Sequence, residues 1–163
     1  MRPLIDALND RQHASAGHDL PQPVSSSHRL PIEILVAEDN EVNQKMIMLA
    51  LNKLGYNATL ADNGRVALDL MKNNRYQLVF MDLMMPEVDG YQAATHIFQE
   101  FTKEERPILI AVTANAVSGE RERILAFGMD DYISKPYKIQ DIKDKLELWE
   151  SKLREKYELG QKL

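Results

Sequence analysis

Five short apolar runs, separated by longer segments with a helical repeat, constrain the fold of this chain more than any other feature of its sequence. The runs are EILVA, NATLA, QLVFM, PILIAVT and DDYIS, and all of them lie after residue 31. Segments such as ILVA and LVFM are apolar on both faces, as the strands of a parallel sheet covered by helices on each side must be. The alternation therefore predicts an α/β fold built on a doubly wound, five-stranded parallel sheet.

The segments between the runs carry apolar residues at spacings of three and four, which is typical of helices that cover a sheet. In the first segment, Val42, Met46 and Met48 are core residues by default but are also candidates to leave apolar surface uncovered. The helical sets are Val42, Met46, Leu49, Ala50 and Leu54; Val66, Ala67, Leu70 and Met71; and Ala93, Ala94, Ile97 and Phe101.

Charge and composition exclude several classes of function. A formal net charge of -5 in 163 residues argues against general binding of nucleic acid or anionic membranes, since both need a clustered basic surface. The chain has no cysteine, which excludes disulfides, thiolate metal sites and cysteine nucleophiles. No stretch approaches the roughly 20 apolar residues needed to span a bilayer. We therefore expect a cytoplasmic protein with no direct membrane contact.

Residues 1–30 differ in composition from the rest of the chain. The stretch HASAGHDLPQPVSSSHRLP is rich in His, Ser, Gly and Pro, which predicts a linker or N-terminal extension, although PLIDALNDRQ could form a short helix. The His18-Asp19-Leu20 sequence is similar to the phosphorylated motif of sensor kinases. Because Pro21 interrupts the helix that such a motif needs, the linker interpretation is favoured.

Polar side chains stand at the ends of four of the five predicted strands. Glu38 and Asp39 follow the first strand, Asp82 ends the third, Thr113 ends the fourth, and Lys135 follows the fifth. A single acid at a strand end is commonly a helix cap or a turn residue. Because the ligand site of a doubly wound sheet lies at the carboxyl ends of its strands, we instead expect these side chains to meet in one site.

Three carboxylates and one lysine leave an excess of negative charge that a hard divalent cation would neutralise. Oxygen ligands without His or Cys favour Mg²⁺ or Mn²⁺ over zinc. A cation, an ammonium and a hydroxyl group are also what phosphoryl transfer requires around the transferred group. Asp82 is the best candidate nucleophile, forming an acyl phosphate, because a loop containing Pro86 and Gly90 keeps the approach to it open.

In their order and spacing, the motifs VAEDN, FMDLMMPEVDG, AVTANA and YISKP resemble the receiver domain of two-component response regulators. The resemblance covers residues 32–148, and the segment EDNEVNQ is most similar to receivers of hybrid sensor histidine kinases. It implies a flavodoxin-like fold with strand order 2-1-3-4-5. We accordingly expect a linker over 1–30, a receiver domain over 31–148 and a C-terminal helical extension over 149–163.

The resemblance also implies roles for individual residues. Asp82 corresponds to the phosphoacceptor, and Glu38, Asp39, Asp82 and the backbone carbonyl of Met84 correspond to the groups that hold Mg²⁺. Lys135 corresponds to the lysine that forms salt bridges in the site and contacts the phosphoryl group.

The remaining implied roles concern switching. Thr113 corresponds to the hydroxyl that moves toward a bound phosphoryl group, and Tyr132 to an aromatic side chain that then turns inward. The alternative for Tyr132 is an ordinary half-buried tyrosine of a strand. The peptide between Lys135 and Pro136 is expected to be cis.

The function implied by the resemblance is a phosphoacceptor module of a phosphorelay. Its partner would be a sensor histidine kinase or a histidine phosphotransfer protein, and its own catalysis would be limited to phosphoryl uptake and slow self-hydrolysis. Two alternatives are a receiver-like interaction domain that is not phosphorylated and a Mg²⁺-dependent aspartyl phosphatase. The phosphatase is disfavoured because Met84 stands where such an enzyme needs a second acid.

The last segment, IQDIKDKLELWESKLREKYELGQKL, continues its helical repeat beyond the length that the sheet can cover. Trp149, Leu153 and Tyr157 are the apolar residues in excess. Three interpretations remain open, namely a frayed helix end, packing on the N-terminal segment, and a homodimer formed through this helix.

Overall fold

The structure is a computed structural model, and it describes residues 31–115 and 117–161. Strands and helices alternate along the whole of this part of the chain. In order they are β1 (Glu33–Ala37), α1 (Glu41–Lys53), β2 (Asn57–Ala61), α2 (Gly64–Asn73), β3 (Leu78–Asp82), α3 (Gly90–Glu100), β4 (Ile108–Thr113), α4 (Glu120–Phe127), β5 (Asp131–Ser134) and α5 (Ile139–Gln161). The predicted linker over 1–30 and its short helix lie outside the described residues.

The five strands form one parallel sheet in the order β2-β1-β3-β4-β5. The predicted doubly wound sheet and its strand order are therefore confirmed. In the register of the sheet, Ala37 pairs with Ala61 on one side and with Met81 on the other. Glu38 and Asp82 directly follow Ala37 and Met81, so the first and third strands deliver their acidic residues at the same level of the sheet.

The central strands are buried on both faces, as their continuous apolar runs predict. Every residue of β3 is buried, including Phe80. The helices cover the sheet with small and branched side chains, and these set how closely each helix approaches. The buried apolar side chains on the helices are Ile47, Ala50, Leu51, Ala67, Met71, Ala93, Ala94, Ile97, Ile124, Ile142 and Leu146.

The apolar residues of α1 divide between two faces. Ile47, Ala50 and Leu51 point into the core, whereas Val42, Met46 and Leu49 are exposed and Met48 is half-buried. Spacings of four and three place the three exposed residues on one side of the helix. We call Val42, Met46 and Leu49 the α1 stripe.

Three of the helices begin at a polar residue that follows a strand or its loop. Asn40, Asn63 and Asp89 each accept a hydrogen bond from the backbone N–H three residues later, at the starts of α1, α2 and α3. Such caps satisfy backbone donors that have no partner within a helix. They fix the first turn of each helix close to the carboxyl edge of the sheet.

The C-terminal helix α5 runs without a break through residue 148, where the predicted domain boundary falls. Trp149 is half-buried, and its Nε1 donates to Asp131 Oδ2 at 2.8 Å. Glu150 is buried and accepts a hydrogen bond from the Tyr56 hydroxyl. Beyond Leu153 the described side chains are exposed, but Lys156 still donates to the backbone oxygen of Glu104, so α5 contacts the domain for about two turns past residue 148.

Truncation after Leu148 is expected to lower the free energy of unfolding by on the order of 2 kcal/mol, since it removes two hydrogen bonds to carboxylates together with half-buried Trp149. Urea denaturation of the full and truncated chains measures this loss. Truncation after Tyr157 is the matched control, and it should leave the midpoint unchanged. Equal midpoints for all three proteins would mean that the segment after Leu148 is only a frayed helix end.

Candidate functional site

The carboxyl edge of the sheet holds a cluster of three acids. Oxygens of Glu38, Asp39 and Asp82 lie within 4.8 Å of one another. Glu38 and Asp82 are buried, whereas Asp39 is exposed. Three carboxylates at this separation repel one another, and they offer only oxygen atoms to a bound metal ion. This donor set fits a hard divalent cation such as Mg²⁺.

Lys135 lies between two of the acids. Its Nζ is 2.9 Å from Glu38 Oε2 and 3.2 Å from Asp82 Oδ2. Burial is the largest single influence on this ammonium and opposes its charged form. The hydrogen bond to Glu38 and the charges of Asp82 and Glu38 together outweigh burial and raise the pKa of Lys135 above its usual value. The peptide between Lys135 and Pro136 is cis.

The phenol of Tyr137 is close enough to the acidic cluster to be affected by its charge. Burial, followed by the negative charges of Glu38 and Asp82, raises the pKa of its phenol to about 12. The phenol therefore remains a neutral hydrogen-bond donor across the physiological range of pH. Its role could not be predicted from the sequence, because nothing in its spacing separates it from an ordinary half-buried tyrosine.

The second oxygen of Asp82 is held by the loop that follows β3. The backbone N–H of Met84 donates to Asp82 Oδ1 at 3.1 Å, which places the backbone of residue 84 at the site. The side chain of Met84 is 75% exposed. Gly90 N donates to Leu83 O at 3.2 Å, so the start of α3 returns to the end of β3 and closes this loop.

Thr113 lies buried at the end of β4. Its Oγ1 accepts a hydrogen bond from Asn115 N at 3.0 Å, and its backbone oxygen accepts one from Lys135 N at 2.7 Å. The backbone contact ties the strand that carries the hydroxyl to the residue that carries the ammonium. Among the described residues, no hydrogen bond joins the Thr113 hydroxyl to Asp82 itself.

Tyr132 lies on β5, half-buried against the hydrophobic core. The Nζ of Lys145 is 5.6 Å from the centre of its ring, within the range of a cation–π contact. Lys145 also donates to Asp131 Oδ1 at 2.7 Å, and the other oxygen of Asp131 accepts from Trp149. The residue predicted to switch is thus in contact with the C-terminal helix.

Sequence reasoning missed a group of neutral donors in the first turn of α1. Asn40, Asn43 and Gln44 contact Glu38 through a backbone N–H or a side-chain amide. The available signal was the EDNEVNQ segment, in which a capping Asn follows the acids and directs the next amides back toward the strand.

Comparison with known proteins agrees with the fold. The family model described as response regulator receiver domain matches residues 34–147. The chain belongs to this family. The receiver is similar to hybrid signal transduction histidine kinase I of Dictyostelium discoideum, with 40% identity over 138 residues. It is also similar to the histidine-protein kinase BarA of Escherichia coli, with 34% identity over 133 residues.

These alignments cover 81% and 82% of the receiver chain but only 8% and 14% of the two kinases. The chain therefore spans a small part of the curated relatives that it matches. Within the described residues, 31–115 and 117–161, no helix is long and apolar enough to cross a membrane.

Solved receiver structures have the same fold. The receiver of sensor histidine kinase PA1611 from Pseudomonas aeruginosa, solved with magnesium coordinated in its active-site cleft, is 39% identical and superimposes with a TM-score of 0.67 over 75% of this chain and 99% of that one. The receiver of Ssk1 from Saccharomyces cerevisiae, solved with the phosphotransfer protein Ypd1, is 28% identical with a TM-score of 0.67, over 76% and 91%. The predicted membership of the receiver family is confirmed.

Proposed function

We propose that this receiver takes a phosphoryl group onto Asp82 from a phosphorylated histidine. One observation carries the proposal: buried Asp82 forms an ion pair with an ammonium and lies within 4.8 Å of two further carboxylates, at the edge of the sheet where the strands end. The ammonium belongs to Lys135. The ammonium beside this acid can also neutralise an oxygen of a phosphoryl group that is transferred to it.

The metal proposed for the site is Mg²⁺, with Mn²⁺ as a substitute of the same ligand preference. Glu38, Asp39, Asp82 and the backbone carbonyl of Met84 would hold it. When bound, it would supply charge neutralisation for phosphoryl oxygens. The carboxylate cluster and the magnesium in the PA1611 receiver support this proposal.

The transfer step follows from the residues of the chain. An oxygen of Asp82 attacks the phosphorus of the phospho-histidine, so that a P–O bond forms while the P–N bond breaks, and the histidine nitrogen leaves with the electron pair. Lys135, already close to Asp82 and Glu38, pairs with an oxygen of the transferred group. Thr113 then exchanges its contact with Asn115 for one with the phosphoryl group, and Tyr132 follows it inward.

Acetyl phosphate tests the function without a partner protein. With Mg²⁺, the intact mass of the chain should rise by one phosphoryl group, and chelation of the metal should prevent the rise. A receiver-like interaction domain would gain no mass under either condition. An aspartyl phosphatase would release phosphate from acetyl phosphate for many turnovers, although Met84 in place of a second acid disfavours this alternative.

The proposed partner is a protein that presents a phospho-histidine on a helix, either a sensor kinase or a histidine phosphotransfer protein. The α1 stripe offers such a helix an exposed apolar face that begins next to the acidic cluster. Methionine adapts its shape to different partners, which suits a docking position. The structure of a yeast receiver with its phosphotransfer protein supports a partner of this class.

Met46→Glu is expected to slow transfer from a phosphorylated histidine phosphotransfer protein by about tenfold, because it places a charge in the middle of an apolar contact. Labelling by acetyl phosphate should not change, since Met46 is 49% exposed and lies on the helix surface. Leu159→Glu on α5 is the matched control, and it should alter neither rate. Equal effects of Met46→Glu on both donors would contradict a docking role for the α1 stripe.

The proposal also covers the N-terminal segment, the location in the cell and the oligomeric state. We infer that residues 1–30 act as a linker and that the receiver works in the cytoplasm without contacting nucleic acid, either alone or as part of a hybrid kinase. For the segment after residue 148, where Tyr157 and Leu159 are exposed, pairing of two copies through α5 is the alternative to a frayed helix end. Sedimentation of the full chain and of the chain truncated after Leu148 tests it, since a dimer that needs this segment should dissociate.

A further inference from the structure

The side-chain amide of Gln44 joins three elements at the acidic edge of the sheet. Its Nε2 donates to the backbone oxygen of Glu38 at 2.7 Å and to Asp62 Oδ1 at 3.3 Å. Gln44 lies in the first turn of α1, Glu38 directly follows β1, and Asp62 directly follows β2. One amide therefore holds the start of a helix against the ends of two strands.

The oxygen that Gln44 contacts belongs to the peptide between Glu38 and Asp39. On its other side, Glu38 N donates to Ala61 O at 3.1 Å, which extends the pairing of β1 with β2 by one residue. The backbone is thus held by a sheet contact before this peptide and by Gln44 at the peptide itself. Both acids project from a segment whose orientation the amide fixes.

The carboxylate of Glu38 is oriented by the same helical turn. Its Oε1 accepts from Asn40 N at 3.1 Å and from Asn43 Nδ2 at 3.5 Å, while its Oε2 contacts Lys135 at 2.9 Å. The donors from α1 are neutral, so they direct the carboxylate without cancelling the negative charge that a cation needs. They depend on the position of α1, which Gln44 secures at the strand ends.

We propose that Gln44 is a positioning residue for the metal site, and that it sets the affinity for Mg²⁺ by holding the peptide between Glu38 and Asp39. This inference rests on the proposed function, in which those acids bind the metal. In this role Gln44 acts through the backbone of Glu38 and through Asp62, and it is not itself a metal ligand. Its loss should therefore weaken metal binding while leaving the chemical step intact once the metal is bound.

The test measures Mg²⁺ affinity of the full chain by isothermal titration calorimetry. Gln44→Ala should raise the dissociation constant by about tenfold, the scale found when partners that orient metal ligands are removed. At saturating Mg²⁺, the rate of labelling by acetyl phosphate should stay within about twofold of the parent. Gln44→Met, which keeps the length of the side chain without its donor, should behave in the same way and serves if the alanine variant does not fold.

Two controls separate positioning from a general effect on the fold. Gln140→Ala removes another glutamine amide, one that donates to Asp144 on α5, and it should not change Mg²⁺ affinity. Asp62→Asn keeps an oxygen acceptor for Gln44 and should bind Mg²⁺ more tightly than Asp62→Ala does. If Gln44 acted only on stability, the two Asp62 variants would have the same Mg²⁺ affinity.

An unchanged Mg²⁺ affinity in folded Gln44→Ala or Gln44→Met would overturn the inference, even if the urea midpoint fell. A tenfold loss shared by Gln140→Ala would overturn it as well. If the parent chain itself binds no Mg²⁺, the proposed metal assignment fails together with this inference. That outcome is recognised from the parent alone, before any variant is compared.

Discussion

Asp82→Asn is expected to abolish phosphoryl uptake from acetyl phosphate while leaving the chain folded. The amide oxygen is a poor nucleophile and cannot form an acyl phosphate, so the loss should be complete within the sensitivity of intact-mass measurement. The replacement also removes one of three clustered carboxylates, which lessens their mutual repulsion. We therefore expect a free energy of unfolding equal to or slightly above that of the parent.

Asp69→Asn is the matched control for this prediction. Asp69 is exposed on α2 and forms a surface ion pair with Lys72, so the same chemical change there should leave uptake at the parental rate. Asp39→Asn should retain the nucleophile and shift uptake to higher Mg²⁺ concentration. Phosphorylation of the Asp82 variant at the rate of the Asp69 variant would remove Asp82 from its proposed role.

Gly90→Ala is expected to lower the free energy of unfolding by about 2–3 kcal/mol and to slow phosphorylation. A Cβ on Gly90 would lie 2.5 Å from the backbone oxygen of Asp82 and 2.8 Å from Leu83 Cα. Both contacts are with backbone, which no rotation of a side chain can relieve. The start of α3 must then move away from the end of β3, and the backbone that carries Asp82 shifts with it.

Gly160→Ala provides the comparison, since a Cβ at that position of α5 meets nothing within 4 Å. Alanine forms helices better than glycine, so this control should keep or slightly raise stability. Urea denaturation and the rate of labelling by acetyl phosphate measure both variants. Identical behaviour of the two variants would show that the close approach of α3 to β3 does not matter for the site.

The fold was predictable because its main signals are local. Runs such as ILVA and LVFM are apolar on both faces, and this pattern alone indicates strands covered on each side. Parallel strands connected by helices end at one edge, so the residues that end them must meet there. Glu38 and Asp82 come together for this reason, since the register places the ends of β1 and β3 at one level.

Other features could not be predicted because they depend on how each helix is rotated against the sheet. The spacing of Val42, Met46 and Ala50 is that of one helical face, yet only Ala50 is buried. The contact of Trp149 with Asp131 likewise requires α5 to lie along the edge strand β5. The amide of Gln44 reaches Glu38 only because Asn40 starts the helix beside the strand. Sequence periodicity shows which residues share one face of a helix. It does not show how that face is rotated against the sheet.

Reductive trapping of the phosphorylated chain tests the central claim most directly. Borohydride converts an acyl phosphate into an alcohol, so the carboxyl group that carried the phosphoryl group is marked permanently. After treatment with acetyl phosphate and Mg²⁺, peptide mass spectrometry should find homoserine in place of Asp82, with Glu38 and Asp39 unaltered. An alcohol at Glu38 or Asp39, or a phosphorylated chain that yields no alcohol at any carboxyl group, would contradict the assignment of Asp82 as the phosphoacceptor.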